Sequence, residues 1–144
     1  MTQIFKAALN SGISVGVLGG VFLGVNEILF HDSGLLSLLA FPVGGGLFFI
    51  LGSILAFLLL LPLKPIFIYF KPFFSFITFV AVGAGIPFWI DHSINKIHAH
   101  GIDPYSEGNL LQTVIIVAIH CFLGAVGAVS AWITLRKIDA RSDN

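Results

Sequence analysis

Four stretches without a single Asp, Glu, Lys or Arg, at 7–26, 34–63, 72–90 and 108–135, constrain this chain more than any other feature. A helix needs roughly 20 apolar residues to cross the hydrocarbon core of a bilayer. No water is available there to pair with exposed backbone groups, so such segments form helices or closed barrels. The long apolar runs predict helices. The sequence therefore predicts one domain over 1–144: an all-α integral membrane protein, a four-transmembrane-helix bundle with spans at about 9–31, 35–62, 72–92 and 109–135. Composition agrees. Charged residues make up 10% of the chain, against about 25% in soluble domains.

An even number of spans puts both termini on one side. That side carries Lys6, Lys64, Lys71, Arg136, Lys137 and Arg141, while only Lys96 falls on the other. The positive-inside rule then predicts both termini, and the 63–72 link, in the cytoplasm. Asp32, Asp91, Asp103 and Glu107 fall outside, with Glu27 just below that surface. Lys6 precedes the first apolar run, but no small-x-small site follows it, so the first segment reads as a retained helix rather than a secretory signal. Small size and missing sorting signals point to a bacterial inner membrane. The formal net charge is zero, which leaves no basic surface for nucleic acid. A single cysteine, Cys121, excludes an internal disulfide, a thiolate metal cluster and a CxxC redox pair.

The segment GISVGVLGGVFLGVNEILFHD places Gly12, Gly16, Gly20 and Gly24 four residues apart. Each step drifts by about 40° on an α-helix, so the four form one stripe, and Glu27 and His31 continue it at about 60° and 100° from Gly12. Small-xxx-small repeats let membrane helices approach backbone to backbone. The stripe has two readings: self-association of copies through the first helix, or packing against another helix of the same chain. The fourth span offers a mate, because Thr113, His120, Gly124, Gly127, Ala131 and Thr134 share one face.

The second span, at 30 charge-free residues, is longer than a plain crossing requires. Pro42 and the run Gly44–Gly46 lie in its outer third. Proline removes a backbone hydrogen bond and glycine is a poor helix former, so a break is expected between Pro42 and Gly46. The link KPIFIYFKPFF is expected to lie along the membrane surface, with aromatic rings at the interface and Lys64 and Lys71 reaching for headgroups.

Ionisable residues suggest where chemistry could reside. His31, Asp32, Asp91 and His98 could converge at the outer mouth as ligands for a borderline metal such as zinc. A non-covalent haem between His31 and His92 is a second cofactor alternative. No cofactor is the simplest reading, since solvated loop polarity also explains these residues. His120 sits in a charge-free span, where an ionisable group is costly and points to function, although a neutral histidine bonded between helices serves equally. Glu27 is shallower. No GxSxG, HExxH or phosphate-binding loop is present, which disfavours an enzyme. Two functional classes follow. One is a binding or pore-forming subunit that packs through its glycine stripe, as a homo-oligomer or with a partner membrane protein in the bilayer. The other is a transporter or redox subunit using Glu27, His120 and the outer His/Asp cluster.

Overall fold

A computed structural model describes residues 2–30, 35–98 and 107–142, with side-chain surroundings described for 2–28, 38–90 and 114–140. These residues form four long helices: α1 Thr2–Phe30, α2 Leu35–Tyr69, α3 Pro72–His98 and α4 Glu107–Ser142. All four contain a segment long and apolar enough to cross a membrane. No strand occurs among the described residues. The described residues are thus all-helical, with four long apolar helices that could span a membrane.

Around the bundle the helices run α2, α1, α4, α3. α1 packs along α2 and along α4, α4 packs along α3, and α2 touches α3 and α4 only lightly. α1 and α3 sit on the diagonal and do not meet. Hydropathy follows position. α1 is the least hydropathic span (1.7) yet 44% of its window is buried, while α2 is the most hydropathic (2.6) with 6% buried. In lipid there is no hydrophobic force between helices, so small and polar residues mark the helix that others surround. α1 carries them, and α2 presents leucine to the acyl chains.

The glycine stripe of α1 closes on α2. A Cβ on Gly16 would lie 2.8 Å from the Gly45 carbonyl oxygen, and one on Gly20 would lie 2.7 Å from the Phe41 carbonyl oxygen and 2.9 Å from Gly45 Cα. Gly12 backs onto Ser53 and Phe49, and Gly24 onto the Phe41 ring. The partner is therefore α2 of the same chain, and α4 does not mate with this stripe. Instead α1 meets α4 through hydroxyls. Asn10 Nδ2 donates to Thr134 Oγ1 at 3.0 Å, and Ser14 Oγ stands 2.9 Å from Ser130 Oγ, which donates to the Asn10 carbonyl at 3.1 Å.

α2 departs from expectation at both ends. It runs as helix through Pro42 and the three glycines, so any deformation there is a bend within a helix and not a gap. It also continues through Pro62 and Pro65 to Tyr69, leaving Phe70 and Lys71 as the link. The expected surface segment 63–72 is mostly the last turns of α2. Each proline forfeits one ladder bond. Leu60, Leu63 and Phe67, spaced three and four residues apart, offset this by burying one stripe against the neighbouring helices. They join Ile4, Ala7, Ala8, Phe79, Ala131 and Leu135 in the packed core. This core occupies one end of the bundle, where α1 begins, α2 ends, α3 begins and α4 ends.

The seam gives a paired test of opposite sign. Gly20→Ala puts a methyl against α2 backbone, and overpacking costs about 1–3 kcal/mol. Gly46→Ala meets nothing within 4 Å and gains up to about 1 kcal/mol of helix propensity. Unfolding titrations in mixed detergent micelles should show one loss and one gain. Equal behaviour would mean the seam is loose.

Candidate functional site: an apolar cleft with a histidine

Because α2 and α3 diverge beyond their connecting turn, the bundle is not filled. A cavity of about 450 Å³ lies between all four helices, within the usual size range for small-ligand sites. Its floor is the packed core: Leu60, Leu63, Phe79 and Ala131. The back wall is made by Ser11 and Val15 of α1 and by His120, Gly124 and Gly127 of α4. The side walls are aliphatic: Leu55 and Leu58 from α2, Val82, Ile86 and Ile90 from α3. Leu51, Ile54 and Leu58 line it and are also exposed, so the cavity opens sideways along the α2–α3 face.

Glycine shapes the back wall. A Cβ on Gly83 of α3 would sit 2.5 Å from the Gly124 carbonyl, and one on Gly124 would run into the Gly83 carbonyl and come within 2.8 Å of Pro87 Cγ. This crossing holds α3 close to α4. On the other flank a Cβ on Gly127 would fall 2.8 Å from Val15 Cγ2 and 2.9 Å from Ser11 Oγ. Gly124 and Gly127 thus serve two different neighbours, although the sequence places them on one face. With α4 committed to both α1 and α3, the void is left on the α2 side.

His120 is half-buried, engaged in an interaction, and lines the cavity. It brings a hydrogen-bonding ring to a wall that otherwise carries Ser11, Val15 and glycine. Glu27 and Asn26 are half-buried near the far end of α1, and Glu27 is likewise engaged. Neither lines the cavity, so Glu27 and His120 do not share a site. Asp91 and His98 lie on the last two turns of α3, seven residues apart and so on one face. Their side chains fall outside the described residues, as do His31 and Asp32 altogether. Among the described residues no group of three His, Cys, Asp or Glu could hold a metal ion.

One feature escaped the sequence reading. Arg136 is held between two rings, with its guanidinium carbon 4.7 Å from the Phe67 centroid and 5.5 Å from that of Trp132. Trp132 is itself fixed. Its Nε1 donates to Ser75 Oγ at 3.1 Å, and the fully buried Ser75 donates to the Pro72 carbonyl at 2.9 Å. Phe76 stacks edge-on against Trp132 at 5.2 Å. The signal was the Trp-x-x-x-Arg spacing, which puts both side chains on one face of α4.

Searches of protein-family models, of curated proteins and of solved structures found no match to this chain.

The floor and the open wall should respond differently to truncation. Phe79 is 1% exposed, and Phe79→Ala is expected to cost on the order of 2 kcal/mol, the cavity part of the penalty measured in soluble cores. Ile86→Ala, already beside empty space, should cost less than about 1 kcal/mol. Chemical unfolding in micelles checks the order, and reversal would move the cavity floor elsewhere.

Proposed function

We propose that this protein is a membrane-embedded binding module that holds the hydrocarbon part of an amphiphilic ligand in the cleft between α2 and α3. The observation carrying this reading is the cleft itself, an aliphatic cavity of about 450 Å³ that faces the acyl region. An apolar void open to lipid accepts a chain with little desolvation penalty. His120 supplies a hydrogen-bonding group on its wall. The glycine stripe of α1 is covered by α2, so it gives no support to a pore assembled from copies. The floor of packed side chains argues in the same direction, because it closes the cleft at one end.

Orientation belongs to the same proposal. The closed end of the cleft, with both termini and the 70–71 turn, faces the cytoplasm on the six-to-one count of basic residues. Cysteines introduced at positions 142 and 106 in a Cys121→Ser background test this. An impermeant thiol reagent on intact cells should label position 106 and spare 142, and the opposite result reverses the orientation.

Occupancy of the cleft can be read directly. A zwitterionic lipid carrying a photoreactive diazirine in its acyl chain should label peptides from 82–90 and 120–131 above the level of exposed α2 positions. Ile86→Trp, which fills the cleft, should reduce that labelling several-fold, while Ile116→Trp, exposed and away from it, should not. Labelling spread evenly over lipid-facing residues and indifferent to Ile86→Trp would overturn the proposal.

A further inference from the structure

We infer that the ligand of the cleft is a lipid with an anionic phosphate headgroup, and that Arg136 is the group that receives the phosphate. This rests on the cleft being a lipid site and adds the headgroup chemistry. Arg136 is only half-exposed, and its Nε is buried with no hydrogen-bond partner among the described residues. No ion pair to it occurs among those residues either. Its only described contacts are the faces of Phe67 and Trp132. Ring quadrupoles attract a cation, but they accept none of its five fixed N–H donors in the way an oxygen does. A buried N–H without a partner is costly. Among the described residues no oxygen meets Nε, and the geometry is held: Ser75 fixes Trp132, Trp132 and Phe67 fix the guanidinium plane, and Phe67 itself packs at 6.3 Å on Phe79.

The position suits a headgroup. Phe67 lies one turn beyond Leu63 on α2, and Arg136 five residues beyond Ala131 on α4, about 7.5 Å along the axis. Leu63 and Ala131 both floor the cleft. The guanidinium thus sits just past the closed end, toward the interface, on the side that also carries Lys6, Lys64, Lys71 and Lys137. Lys64 is half-buried on the same turns of α2 as Phe67. Arginine offers a planar fork that matches two phosphate oxygens at once, and it stacks on aromatic faces while doing so. A bound lipid would place its phosphate at Arg136, pass its chain around the edge of the packed floor, and enter the cleft from the side through the α2–α3 opening.

Native mass spectrometry of the intact protein, released from detergent after titration with phosphatidylglycerol or phosphatidylcholine, separates the two layers of the argument. The cleft predicts that both lipids bind and that Ile86→Trp lowers both. The headgroup site predicts a preference for phosphatidylglycerol of about tenfold in apparent affinity, the scale of one charge-assisted pair. Arg136→Gln should abolish that preference by lowering phosphatidylglycerol binding about tenfold; phosphatidylcholine carries the same phosphodiester but offsets it with a choline cation, so its binding should fall by less. Arg136→Lys, which keeps the charge and loses the fork, should lower the preference and covers the case in which the glutamine variant fails to fold. Inorganic phosphate alone should neither bind nor displace the lipid at millimolar concentration. Equal binding of the two lipids by the unmodified protein, a preference unchanged in Arg136→Gln or Arg136→Lys, or phosphate binding as tightly as lipid would each overturn the headgroup assignment. Failure of both lipids to bind the unmodified protein would overturn the cleft.

Discussion

Backbone contact between α1 and α2 is the constraint from which the rest of the bundle follows. Gly16 and Gly45 face each other with no side chain between them, and Gly20 rests on the backbone around Phe41. Helices in lipid gain nothing from hydrophobic burial against each other, because acyl chains are as apolar as leucine. They gain from dispersion, which rewards close approach, and glycine permits the closest. Once α2 is bound along one side of α1, the hydroxyl side of α1 is left for α4, where Asn10, Ser14, Ser130 and Thr134 pair with one another. The glycine crossing of Gly83 on Gly124 then ties α3 to α4.

The cleft follows from this division. Three helix pairs have specific seams: glycine on α2, hydroxyls on α4, glycine again between α3 and α4. The fourth side, α2 with α3, has none beyond the aromatic contact near their short turn. Two helices joined by Phe70 and Lys71 start together and separate. The core at their joined end packs tightly, and the space above it stays open. Aromatic residues at that closed end, Phe67, Phe76, Phe79 and Trp132, do two jobs. They fill the floor, and Phe67 and Trp132 build the clamp that holds the Arg136 guanidinium.

Much of the architecture was legible in the sequence, for identifiable reasons. The four helices are marked by charge-free runs, and a bilayer leaves a long apolar run no other common conformation. The glycine stripe of α1 was visible from its spacing. Its partner was not, because Gly44–Gly46 beside Pro42 read as a helix breaker. In water that reading follows from propensity. In a membrane seam Gly44 and Gly45 are what α1 requires. The end of α2 was missed because Lys64 and Lys71, with aromatic rings between them, read as a surface link, whereas the burial of Leu60, Leu63 and Phe67 carries the helix through Pro62 and Pro65. Arg136 was counted as one more topology-setting charge, since a cation sandwiched between rings from two helices requires knowing which turns of α2 and α4 are level. The outer residues His31, Asp32, Asp91 and His98 were read as ligand candidates from their shared predicted side and their ligand chemistry, and their side chains lie outside the described residues.

The bundle depends on α1 and α2 of one chain being the glycine partners. A Cβ built on Gly44 lies 3.3 Å from Leu23 Cβ, and one built on Gly52 lies 3.3 Å from Val15 Cβ, close to the spacing of a disulfide. The most direct measurement is oxidation of the Leu23→Cys/Gly44→Cys and Val15→Cys/Gly52→Cys variants, in a Cys121→Ser background, on a mixture of isotopically light and heavy copies reconstituted together. Mass spectrometry of the cross-linked peptides should find light–light and heavy–heavy pairs almost exclusively. Light–heavy pairs in statistical proportion would show that the stripe joins separate copies, and the cleft would have to be rebuilt between them.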